Sequence, residues 1–179
     1  MRAHKKAVAK ADTLSQPQQR GAAQTTHIDL QWQCRVQPDF PTDDQIKRWA
    51  AAAISDVHNG SELVIRVVDS SEMQAANHDW RGKNKPTNVL SFPAELPAEL
   101  LAQTGVRHLG DILICAEVLL EESAGQGKTL QAHWAHIVVH GVLHLQGYDH
   151  IQEREAQQME QQEIEILNRL GYTNPYETN

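Results

Sequence analysis

The sequence predicts an α+β fold: a small mixed β-sheet packed with several α-helices. Short apolar runs read as strands, segments of helical character lie between them, and two longer helical segments close the chain with no strand after them. No internal repeat interrupts this order.

The first strand is expected from His27, where Ile28, Leu30 and Trp32 alternate with polar residues. Thr42 then offers an N-cap, Asp43 and Asp44 suit a first turn, and Ala-rich sequence extends the helix to His58, where Asn59-Gly60 stops it. Residues 63–68 read as a buried strand, and Ser70-Ser71-Glu72 starts a short helix. Residues 81–86 are polar, basic and turn-like. Val89-Leu90-Ser91-Phe92, stopped by Pro93, and Ile112-Leu113-Ile114-Cys115 are two more strands. A helix follows from Ala116 towards Ala124, broken by Gly125-Gln126-Gly127. The closing helices cover residues 130–146, ended by Gly147, and residues 152–170, ended by Gly171. In the second of them Met159, Ile164, Leu167 and Leu170 recur at helical spacing. Its acids, Glu160 and Glu163 among them, read as a charged exposed face without function.

With 179 residues, 40% hydrophobic and 22% charged, the chain has the make-up of a globular protein able to bury a core unaided. No run approaches the roughly 18 uncharged apolar residues of a membrane span. Cys34 and Cys115 form neither a disulfide framework nor a Cys-x-x-Cys pair, so a reducing cytoplasm is the expected location. Residues 1–26 are rich in Ala, Gln, Lys and Ser and carry a net +4. They read as a flexible tail, and residues 27–179 as one domain. The chain's net charge is −7, so the remainder carries −11, which excludes a protein coated in cations for general nucleic-acid binding. A polyanion must therefore be met by a local cluster.

The segment His133-Trp134-Ala135-His136-Ile137-Val138-Val139-His140-Gly141-Val142-Leu143-His144 carries the chemistry. On a wheel of about 100° per residue the four histidines form one narrow stripe, while Trp134, Val138, Val139, Val142 and Leu143 cover the opposite side. His140 and His144, one turn apart, can both reach a single divalent ion, and Gly147 lets the chain turn back so that His150 supplies a third nitrogen. Three neutral imidazoles leave such an ion its full charge and an open position, the pattern of a catalytic site. His133 and His136, taken singly, are more simply packed and hydrogen-bonded. The metalloprotease helix places Glu directly after its first His as general base; here that position is Gly141.

The motif His140-Gly141-Val142-Leu143-His144-Leu145-Gln146-Gly147-Tyr148-Asp149-His150 resembles that of the YbeY family of bacterial single-strand-specific endoribonucleases. Two upstream blocks support it: Arg81-Gly82-Lys83-Asn84-Lys85-Pro86-Thr87-Asn88-Val89-Leu90-Ser91-Phe92-Pro93 and Leu109-Gly110-Asp111-Ile112. The similarity spans roughly residues 28–175. It implies one Zn2+ ion held by His140, His144 and His150, with His140 and Arg81 as the catalytic residues. It implies cleavage of single-stranded RNA in maturing the 3′ end of small-subunit rRNA and in ribosome quality control, with the ribosome or its proteins as partners and no membrane. Asn88 stands where many relatives carry Asp, so it is given no acid–base role.

The basic block agrees with an anionic substrate. Arg81, Lys83 and Lys85 are the densest positive cluster in an acidic body, and a guanidinium grips phosphate oxygens in a bidentate fork. Arg81 is therefore expected to neutralise charge on the transition state, with Lys83 and Lys85 as substrate contacts. Asp149 either orients a ligand imidazole or shapes the turn before His150. His108 and Asp111 are expected to line the cleft, Ser91 to be a strand residue and Cys115 to be core. The attacking oxygen, from water or from the ribose 2′-hydroxyl, is left open. Two other functions fit the same residues: a zinc hydrolase acting on another ester or an amide, and a non-catalytic rRNA-binding assembly factor with structural zinc.

Overall fold

In the computed structural model, which describes residues 26–58, 60–94, 106–149 and 152–177, one mixed sheet carries the helices. Strands β1 (His27–Trp32), β2 (Glu62–Val68), β3 (Val89–Pro93) and β4 (His108–Cys115) lie in the order β1-β2-β4-β3. β1, β2 and β4 are mutually parallel, and β3 runs antiparallel to β4 along one edge. The helices among the described residues are α1 (Asp43–Ala53), α2 (Ser70–Arg81), α3 (Ala116–Gln126), α4 (Leu130–Leu145) and α5 (Glu153–Leu170), with a 3-10 turn at Asp56–His58. The expected tail, residues 1–26, lies outside the described residues except for Thr26.

Alternation sorts the sheet residues onto two faces. Ile65, Val67, Ile112 and Ile114 join one core with Ile46 and Trp49 of α1, Trp134, Val138 and Val142 of α4, and Met159 and Leu167 of α5. Each such side chain, fully buried, contributes about 1.5–3 kcal/mol. Val68, Leu90 and Cys115 face the other way and pack with Met73 of α2, with Phe92 and Val118 against them. Helix α4 is thus held between the sheet and α5. Gly141 packs close to the sheet: a Cβ there would lie 3.1 Å from Ile112 Cγ2 and 3.4 Å from Ser91 Oγ, so any side chain would press on Ile112.

Three boundaries differ from expectation. α1 starts as expected, with Thr42 and Gln45 forming a reciprocal cap, but ends at Ala53 rather than His58. The cause is a distant residue: Gln146 accepts from the Ser55 backbone at 2.9 Å and donates to the Ala53 carbonyl at 2.8 Å, replacing the next helical turn. α3 runs through Gly125 to Gln126, and Gly127 at φ +64° closes it. β4 begins at His108, four residues before the apolar run: His108 pairs with Glu62 of β2, and Gly110, at φ +133°, meets Pro93 on the edge strand.

Candidate active site

The histidine stripe of α4 is a continuous row. Ring centroids are separated by 6.5 Å from His133 to His136, 6.2 Å from His136 to His140, and 4.6 Å from His140 to His144. His140 Nδ1 lies 2.7 Å from Glu163 Oε1, and His144 Nδ1 lies 2.9 Å from the Tyr148 carbonyl. Both acceptors call for a proton on Nδ1, which leaves the Nε2 lone pairs facing one another 3.1 Å apart. Two nitrogens bound tetrahedrally to one zinc-sized ion sit about 3.3 Å apart, so the spacing fits a shared metal.

Glu163 overturns the expectation of a functionless exposed acid. It is 0% exposed, accepts from His140 Nδ1, lies 3.0 Å from His136 Nε2 through its second oxygen, and accepts the Tyr176 hydroxyl. Burial alone would raise its pKa, but the hydrogen bonds and charge of His136 and His140 prevail and hold it down at about 2. Burial, then the Glu163 carboxylate, push the Tyr176 hydroxyl well above the usual phenol value, so it stays a donor. The sequence did carry a signal: Glu163 is four residues from Met159 and four from Leu167, on the buried stripe of α5. His136, His140 and Glu163 form a group that could hold a metal ion. Its carboxylate is sealed and already engaged by both rings and Tyr176, so the Nε2 face of His140 and His144 is the more accessible of the two positions.

That face adjoins a cleft of about 480 Å³ lined by Arg81, Ser91, Pro93, His144, Gly147, Tyr148 and Asp149. Arg81 closes α2, and Gly82, at φ +67°, turns the chain. Asn77 pins the turn that follows: its side chain donates to the Lys85 carbonyl at 2.7 Å and its own carbonyl accepts from Lys83 N at 3.2 Å. The structure therefore brings Arg81, His144 and Asp149 to one cleft. Lys83 and Lys85 are exposed on the turn beyond its lining, and His150 lies outside the described residues.

Other expected residues fall as follows. Ser91 is a strand residue whose hydroxyl donates to the Gly141 carbonyl at 3.2 Å, and Cys115 is fully buried. His108 and Asp111 do not line the cleft: they lie 4.0 Å from each other, and alternation puts Asp111 on the face opposite Ile112, away from α4. Asn88 donates to Glu122, which also sits 2.7 Å from His133 Nε2, so both serve a polar contact between α3 and α4.

A mixed α+β fold, a histidine–carboxylate cluster able to hold a metal and an arginine at the adjoining cleft together define the class: a protein equipped for hydrolytic work on an anionic substrate. Residues 30–171 match the family model described as Endoribonuclease YbeY, and the chain belongs to the YbeY family of endoribonucleases. It is also similar to TM1509 from Thermotoga maritima, known from a solution structure. The two are 20% identical with a TM-score of 0.47, over 84% of this chain and 99% of that one.

Proposed function

We propose that this chain is a zinc-dependent, single-strand-specific endoribonuclease, with one ion held by His140, His144 and His150. Its proposed substrate is small-subunit rRNA near the 3′ end, in processing and in ribosome quality control. Its setting is the cytoplasm, with the ribosome or ribosomal proteins as partners. No described helix is long and apolar enough to cross a membrane. Residues 27–179 would form the single hydrolase domain.

One observation carries the reading: the Nε2 atoms of His140 and His144 face each other at 3.1 Å beside the cleft that His144 shares with Arg81. When bound, a divalent cation supplies positive charge against a phosphoryl oxygen and an acidifying centre for the attacking hydroxyl. The chain's own groups do the rest. Glu163 and the Tyr148 carbonyl hold the Nδ1 protons of His140 and His144 and so aim both lone pairs at one point. Arg81 grips the phosphate in a bidentate fork and offsets the charge that develops as the phosphorus is attacked. Lys83 and Lys85 meet flanking phosphates. Since Nδ1 of both described ligands is taken, the imidazole proposed for Asp149 to orient is that of His150, its neighbour in sequence.

Gly141 argues against a protease of the His-Glu type, because the position that would carry the base has no carboxylate and packs on Ile112. The test is incubation of the pure protein with single-stranded RNA, the matching duplex and casein, each with and without chelator. Cleavage of the single strand alone, abolished by chelator, is expected. Cleavage of casein, or RNA cleavage that chelator leaves intact, contradicts the proposal.

A further inference from the structure

Trp80 is 71% exposed, whereas Trp49 and Trp134 are fully buried and Trp32 is partly covered, stacking on Phe40. It directly precedes Arg81 at the end of α2. Its indole is not loose: it stands edge-on to Phe92, with centroids 5.2 Å apart and planes at 62°. Phe92 belongs to β3, the edge strand, between Ser91 and Pro93, which both line the cleft. Alternation along β3 therefore puts the indole just around the edge of the sheet from the cleft, with Arg81 bridging the two sides. Arg81, Lys83 and Lys85 follow it within five residues, in a chain of net charge −7.

We propose that Trp80, propped by Phe92, is a stacking platform for an unpaired base of the RNA strand whose phosphate Arg81 holds in the cleft. The proposal rests on the nuclease reading above and names a specificity-determining residue for it. A braced, exposed ring offers stacking with little ordering cost, and every base has a face to offer. The adjoining cations favour a nucleic acid over a protein as its occupant, since they complement phosphate beside the base. A single strand can turn over the β3 edge and lay its next base on the indole. A duplex cannot, because its bases are already paired and stacked. Trp80 thus gives the enzyme a physical reason to prefer unpaired RNA.

The test is the kinetics of single-stranded RNA cleavage by the full chain as wild type, Trp80→Ala and Trp80→Phe, with an abasic ribose-phosphate strand as competitor. Trp80→Ala is expected to raise KM by about fivefold to a hundredfold with kcat within about twofold. Trp80→Phe should recover most of the loss, and inhibition by the abasic strand should be the same in all three. RNA should quench the indole fluorescence of the wild type but not of Trp80→Phe. Should Trp80→Ala not fold, Trp80→Leu, which keeps apolar bulk without a ring, should show the same rise in KM. An unchanged KM in Trp80→Ala, with a wild type that cleaves RNA, overturns the platform alone, the indole then serving a protein partner. A wild type that cleaves no RNA overturns the platform and the nuclease reading together.

Discussion

At the scale of single residues, the least conspicuous group has the largest consequence. Glu163 sits among the glutamates and glutamines of a polar-looking helix, yet its carboxylate is sealed behind His140 and bonded to three partners. A carboxylate on the far nitrogen of a ligand imidazole fixes the tautomer and makes the near nitrogen a better donor. Glu163→Gln keeps the shape and removes the charge, so zinc affinity should fall by about tenfold to a hundredfold. Competition against a chromogenic chelator measures this directly; an affinity within twofold of wild type would show that Glu163 only packs. That His140 and His144 adjoin was legible in sequence because helical spacing converts four residues into one turn. Glu163 was missed because its charge outweighed its position, although that position lay on the Met159–Leu167 stripe. The Gln146 clamp on the end of α1 was illegible for a different reason: a side chain ninety residues away has no local signature.

Elements position these residues, and two of them have breakable supports. Helix α2 carries Arg81 at its end and is capped at its start by Asp69, which accepts from Glu72 N at 2.9 Å and from the Ser71 hydroxyl. Those bonds, from Ser71 first, hold the Asp69 carboxyl below its ordinary value. A depressed folded-state pKa stabilises above the unfolded value and ceases to as pH falls through the folded one. The stability gap between wild type and Asp69→Ala should therefore be full at neutral pH and close as acid titrates the cap. Paired urea denaturation curves at neutral and acid pH measure it, and a gap independent of pH would contradict the cap's charge. The edge strand β3 depends on Gly110: a Cβ there would collide with the Phe92 carbonyl, at a φ of +133° that other residues avoid. Gly110→Ala should cost about 3 kcal/mol or more in urea unfolding by combining backbone strain with overpacking. A cost under about 1 kcal/mol would mean that β3 is not held against β4 as described. Strand β3 was readable in sequence as an apolar run; the longer start of β4 was not, since it depends on pairing with its neighbours β2 and β3 rather than on its own pattern.

For the whole molecule, charge is the governing quantity. Outside residues 1–26 the chain carries a net −11, and the turn bearing Arg81, Lys83 and Lys85 is its densest local cluster of cations. Three phosphate contacts on a single strand imply a log–log salt slope of about −2 for binding. A slope steeper than about −5, read from binding titrations across salt concentrations, would require more phosphate contacts than this one cluster can supply. Weak intrinsic affinity is the outcome expected if, as proposed, the ribosome or its proteins bring the chain to its substrate. The fold class was legible because the alternation of strands and helices survives in composition and period. Which strand forms the edge, and hence which residues share the cleft, was not, since strand order is set by packing over the whole sheet.

In the proposed mechanism two imidazoles of α4 hold a cation that acts with Arg81 on one phosphate. The most direct measurement is the rate of single-stranded RNA cleavage by His144→Ala and Arg81→Ala, with fold and bound metal verified for each. His144→Ala should be folded, metal-depleted and inactive, and Arg81→Ala should keep its metal while losing about two to three orders of magnitude in rate. A His144→Ala protein cleaving at the wild-type rate, or a metal-loaded Arg81→Ala within tenfold of it, would rule out a cation and guanidinium acting together.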